Sequence, residues 1–98
     1  MKKVVYYQRD WEVDHEKFAK GYFLGDWGDV PLIKCEEGEY PDDMSNEEIC
    51  DNMWMNFNMD NRPDGKIRRS MSVGDVIEIN GIKYQALMIG WKELVEYV

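Results

Sequence analysis

The sequence predicts an α+β domain: a small, mostly antiparallel sheet with a hairpin in its C-terminal half, packed against one main helix. Three observations carry that expectation. The N-terminus is a β-branched and aromatic run, the middle holds a capped amphipathic stretch, and an Asn-Gly pair separates two apolar runs near the end. Ninety-eight residues supply one core but not two, so a single domain over 1–98 is expected.

The elements follow in chain order. "KKVVYYQRD" reads as a strand over residues 3–8, because β-branched and aromatic side chains suit a pleated, half-buried surface. Between Asp10 and Lys20, Trp11, His15 and Phe18 fall at helical spacing and would line one side of a short helix. "GYFLGDWGDVPLIKCEEGEYPDD" is punctuated by Gly21, Gly25, Gly28, Pro31, Gly38 and Pro41. Breakers at that density exclude a long helix and leave short extended pieces at 22–24 and 32–35.

The main helix is expected over 45–58. In "SNEE" the Ser45 hydroxyl accepts from an early backbone N–H while Glu48 reaches back, a capping box. Asp42, Asp43, Glu47 and Glu48 also complement the positive end of the helix dipole. Ile49, Cys50, Met53, Trp54 and Phe57 then form one apolar stripe, and "NMDNRPDG" ends the helix near Asn58. A hairpin over 75–89 turns at Asn80-Gly81, where both positions need positive φ. A two-residue loop sets the register: Ile79 against Ile82, Glu78 against Lys83, Ile77 against Tyr84. "GWKELVEYV" closes the chain as one helical turn or a last short strand.

A hydrophobic fraction of 44%, with four Trp, six Tyr and three Phe, is rich enough to fold without disulfide or metal staples. Cys35 and Cys50 therefore read as thiols rather than a disulfide. No apolar run approaches membrane-spanning length, and "MKKVVYYQRDWEVDHEK" lacks the apolar region of a signal peptide, so a cytoplasmic protein without membrane contact is expected.

Net charge is −8, unevenly placed. Residues 1–35 hold six basic and six acidic side chains, and residues 61–98 hold six and five. Residues 36–60 hold nine acids (Glu36, Glu37, Glu39, Asp42, Asp43, Glu47, Glu48, Asp51 and Asp60) and no Lys or Arg. Direct binding of nucleic acid is disfavoured, because phosphates demand clustered cations. The segment reads either as a solvated acidic loop and helix face, or as a surface for a basic partner such as a DNA-binding protein.

The stretch "NFNMDNRPDGKIRRSMSVGDVIEI", followed by "KYQALMIGWKEL", resembles the C-terminal half of the YodL-like family, and "VYYQRD" resembles its opening strand. The matching positions are Asn56, Phe57, Asn58, Pro63, Arg69, Ser70, Ser72, Val73, Asp75, Val76, Ile77, Gly90 and Trp91. Met71 stands where the family usually has leucine, and residues 36–43 have no counterpart. The resemblance covers about half of the chain. It implies a product of a phage, plasmid or conjugative element, acting in a bacterial host cell and without a known enzymatic activity.

The motif also has a plain structural reading. Gly74 and Asp75 make a turn-to-strand entry, Asn56 and Asn58 satisfy backbone groups at the helix end, Phe57 and Val73 are core, and Arg68 and Arg69 are a solvated flank. The alternative is a polar pocket of Arg69, Ser70, Ser72 and Asp75 beside Asn58. Other chemistries find little support. One histidine and two cysteines give no zinc spacing, and neither a metal nor any other cofactor is expected. Asp60, Asp64 and Gly65 echo the start of an EF-hand loop, but Arg62 takes a ligand position and Met71 stands where the closing glutamate belongs. No Walker or dinucleotide fingerprint is present, and "GDWGD" would repel a phosphate.

Two functions remain. In one, the chain occupies a host protein, with Glu36, Glu37, Glu39, Asp42, Asp43, Glu47 and Asp51 steering and Trp27, Tyr40 and Trp54 anchoring. Its sharpest form is a DNA mimic that inhibits a defence nuclease. In the other, the domain is an assembly module, a monomer or small homo-oligomer associating through strand edges or apolar patches.

Overall fold

The computed structural model describes residues 1–10, 12, 15–28, 30–58 and 69–94. Their elements run β1 (Lys2–Arg9), α1 (His15–Leu24), β2 (Leu32–Tyr40), α2 (Asn46–Asn56), β3 (Val76–Ile79), β4 (Ile82–Ala86) and β5 (Trp91–Leu94). The strands form one antiparallel sheet in the order β2-β1-β3-β4-β5, which is the α+β architecture expected.

β1 lies inside the sheet and carries the core. Val4 and Tyr6 turn toward α2, and the next strand adds Ile77 and Ile79 to the same face. Against them α2 lays Ile49, Cys50 and Met53, joined by its C-cap Phe57, with Trp54 half-buried at the margin. Val73, expected in the core, is only half-buried and stands outside this cluster. The rings of Tyr6 and Phe57 meet at 4.7 Å. The capping box is formed: Glu48 N–H donates to Ser45 Oγ at 3.1 Å, and Ser45 N–H donates to Glu48 Oε1 at 3.2 Å. At the other helix end Asn58 Nδ2 donates to the Trp54 carbonyl at 2.7 Å, whereas Asn56 Nδ2 donates to the Asn52 side chain instead of to backbone.

The hairpin register is the one read from the turn, Ile79 with Ile82, Glu78 with Lys83 and Ile77 with Tyr84. Asn80 has φ 49° and Gly81 φ 87°. Asn80 does more than turn: its N–H donates to Lys3 O and its side chain accepts from Lys3 N–H, both at 2.9 Å, tying the turn to β1. The hairpin is shorter than 75–89, since β4 stops at Ala86 and Leu87 to Gly90 form a turn closed by Leu87 N–H to Gly90 O. Of the two C-terminal alternatives, the strand is the one formed.

Two expectations are corrected. Residues 22–24 are helical, not extended: α1 runs through Gly21 and stops only at Gly25, whose φ of 74° closes the last turn with a bond to Gly21 O. Gly21 is no breaker here, because the Trp27 ring occupies the space its Cβ would need. The extended piece at 32–35 continues to Tyr40, because it pairs with the whole of β1. Glu36, Glu37 and Glu39 therefore stand on an edge strand rather than in a loop, with Glu39 opposite Lys3. Trp11, Asp60, Arg62, Pro63, Asp64, Gly65 and Arg68 lie outside the described residues.

Cys35 and Cys50 form no disulfide. Burial pushes the Cys50 thiol up to about 12, with Asp51 and Glu47 adding to the shift. An unfolded chain ionises this thiol at its ordinary value near 9, so stability is complete below that pH and falls as pH rises toward 12. Urea midpoints measured from pH 8 to 11 should drop in the wild type and drop less in Cys50→Ala. Equal slopes would contradict a protonated buried thiol.

Candidate functional site

Two groups of sequence-selected residues are brought together, in different places. The first lies where β1 ends and β3 begins. Gly74, at φ 91°, swings the chain into β3 and leaves Asp75 wholly buried. The Asp75 carboxylate accepts four hydrogen bonds: Arg69 Nη2 at 2.7 Å and Arg9 N–H at 3.0 Å on Oδ1, Arg69 Nη1 and Ser72 N–H at 2.8 Å on Oδ2. A carboxylate has about four lone-pair sites, so this one is saturated.

The surroundings close the cluster. Arg69 also donates to the Arg9 and Ser70 carbonyls, and Arg9 donates to Gly74 O, Val30 O and Gln85 Oε1. Gln8 bridges the Tyr6 hydroxyl at 2.7 Å and Arg69 O at 2.9 Å. Arg9 lies 5.3 Å from the Trp27 ring centroid, and Arg69 lies 5.9 Å from that of Phe18. Burial works against the Arg69 charge, but its bonds and attraction to Asp75 outweigh that and raise its pKa. Burial, then the Asp75 charge, pushes Tyr6 far up.

Arg69 is thus no solvated flank. It and Asp75 form a bidentate, partly desolvated clasp across the 69–75 turn and β1. Ser70 and Ser72 contribute backbone groups to it. Asn58 stands elsewhere, at the exposed end of α2. With every Asp75 acceptor used and both arginines covered by aromatic rings, the clasp holds the fold.

The second group is the acidic margin. Glu37 is exposed and ion-paired with Lys34, which lowers its pKa through that hydrogen bond and the accompanying charge. Glu39, Asp43, Glu47 and Glu48 are exposed, and Glu36 is half-buried. Asp42 accepts from the Met1 amine at 3.1 Å. Asp51 accepts from Trp91 Nε1 at 3.0 Å, and the Trp91 ring meets Trp54 edge-on at 6.1 Å. Tyr40 is half-buried, its hydroxyl donating to Asn52 at 2.9 Å. Trp27, expected as an anchor, is buried in the core beside Gly21 and Gly74 and offers no surface to a partner.

Two clefts flank this margin. One, of about 180 Å³, runs between β2 and α2 over Val4, Gly38, Met53 and Phe57. The other, of about 470 Å³, lies between α2 and β5 and is lined by Cys50, Tyr84, Ile89 and the motif residues Gly90 and Trp91. Among the described residues, no group of three or more His, Cys, Asp or Glu gathers at metal-binding distance. No helix among them is long and apolar enough to cross a membrane. Sequence reasoning missed Arg9, Gln8 and Gln85 as partners of the clasp, and Gly38 as the floor of the first cleft. No protein-family model matches the chain, and no curated protein or solved structure matches it either.

Proposed function

We propose that this chain is a non-enzymatic protein of a phage or other mobile element that binds a host protein through its acidic margin. One observation carries the reading. Edge strand β2, the turn after it and the first turns of α2 follow one another along one margin and expose Glu37, Glu39, Asp42, Asp43, Glu47 and Glu48. No Lys or Arg falls in sequence between residues 36 and 60, so the contacts of Lys34 with Glu37 and of the Met1 amine with Asp42 leave an acidic excess there. Such a border steers a basic partner and repels acidic ones. The YodL-like motif supplies the mobile-element setting. In its sharpest form the border stands in for the phosphates of DNA and blocks a nucleic-acid-binding defence protein.

A second reading has its own observation. Met88 and Ile89, at the β4–β5 turn, are 81% and 91% exposed, and Phe23 and Leu24 stand out from the end of α1. Apolar patches of this kind suit an assembly module that self-associates.

Salt separates the two. Affinity capture from bacterial lysate, at low and high ionic strength, should compare the wild type with a variant carrying Gln or Asn at Glu36, Glu37, Glu39, Asp42 and Asp43. The acidic reading expects a partner lost under both treatments, since exposed charges are screened within about 10 Å at 0.1 M salt. A partner kept under both moves the interface to the apolar patches.

A further inference from the structure

We infer that β2 accepts an added strand from a basic, extended segment of the partner, with one long basic side chain seated in the cleft above Gly38. The inference rests on the acidic-margin reading and gives its partner a chemistry.

The first support is topological. β2 is the last strand on its side of the sheet and pairs only with β1 among the described residues. Nine residues at about 3.3 Å each give an edge of roughly 30 Å. The register shifts at Cys35, between the pairs Tyr6–Glu36 and Tyr7–Lys34. On the regular stretch from Glu36 to Tyr40, beside Gly38, every second N–H and C=O points away from β1, a template for another strand.

The second support is the cleft. It is lined by Val4, Gly38, Tyr40, Met53, Asn56 and Phe57, with Glu36 and Glu37 beside them. Glu36 pairs with Tyr6 and so shares the α2 face, whereas Glu37 pairs with Val5 on the other face and holds Lys34. A Cβ placed on Gly38 meets nothing within 4 Å, so the cleft is open because position 38 has no side chain. No positive φ demands glycine there. An added strand places alternate side chains on the α2 side of the sheet, over this opening. An arginine or lysine laid there rests its aliphatic stem on Met53 and Phe57 and brings its cation toward Glu36, on the same face.

The third support is charge, which also selects the occupant. β2 carries Glu36, Glu37 and Glu39 against one Lys34, so a second copy would set two edges of net negative charge together, which is unfavourable. An extended basic segment meets the same edge favourably.

The probe is a capped nine-residue peptide of alternating arginine and valine, titrated by NMR into the full chain at low salt. Two further peptides carry N-methyl groups on one or the other alternate set of backbone nitrogens, since only one set faces β2. The expected result is amide shifts concentrated at residues 33–40 and 53–57, loss of at least tenfold in affinity for one methylated peptide but not the other, and no binding when glutamate replaces arginine. Gly38→Leu, which leaves every charge in place, should weaken binding at least tenfold. The inference is overturned if the unmethylated peptide does not bind, if both methylated peptides bind as well as it does, or if Gly38→Leu binds unchanged. A lysate partner kept by Gly38→Leu but lost by the five-site neutral variant would remove the added strand and leave the acidic margin standing.

Discussion

Asp75→Asn should cost about 3–5 kcal/mol of folding stability, the usual result of removing one partner from a buried ion pair. The carboxylate is wholly buried and accepts four hydrogen bonds. An asparagine in its place keeps the shape but turns an NH2 group toward donors, and leaves the Arg69 guanidinium without its counter-charge. Folded domains of this size hold about 5–15 kcal/mol, so the loss consumes a large share. Melting should fall by at least about 12 °C, at roughly 4–8 °C per kcal/mol. Arg69→Lys should also destabilise, though less, because an ammonium cannot make the two parallel bonds to Oδ1 and Oδ2. The pair can be isolated by a cycle: Arg69→Met combined with Asp75→Asn should cost less than the two single changes together. A melting temperature for Asp75→Asn within a few degrees of wild type would show that the clasp is not a major support of the fold.

How much of this was readable beforehand depended on the distance over which each instruction acts. The Ser45–Glu48 cap and the Asn80-Gly81 hairpin with its register are local. Both ends of each interaction lie within a few residues, and both formed as read. "EEGEY" has poor strand propensity, yet β2 runs on to Tyr40 because its partners Tyr6 to Lys2 stand across the ladder, about thirty to forty residues away in sequence. Asp75 was legible as an acceptor at a turn, and Ser72 N–H bears that out. Arg69 was grouped with it in the polar-pocket alternative, six residues away, but the backbone N–H of Arg9 at the end of β1, which shares Oδ1, is distant in sequence and was not foreseen. The acidic margin could be found by counting charges. The cleft at Gly38 could not, because it is lined by residues of β2, α2 and β1 that are distant in sequence.

Gly74→Ala should be the most damaging added methyl among the described glycines. Two independent penalties act at that position. Its φ of 91° lies where L side chains are strained, and an added Cβ would overlap the six-membered ring of Trp27. Gly21→Ala meets the opposite edge of the same ring from α1 but carries no φ penalty. The Trp27 ring is also held edge-on by Phe18 at 5.3 Å and faced by Arg9, so it cannot step aside without disturbing α1 and the clasp together. Overpacking in a close-packed interior costs about 1–3 kcal/mol, and the backbone strain at Gly74 adds about 1–3 kcal/mol more. The two glycines should therefore respond differently to a smaller residue at 27. Trp27→Leu makes room for a methyl, so it should recover part of the loss in Gly21→Ala, measured by urea unfolding of single and double variants. It should recover less in Gly74→Ala, where the φ strain persists. Equal rescue at both positions would mean that sterics alone require glycine at 74, and that its backbone conformation adds nothing to the cost.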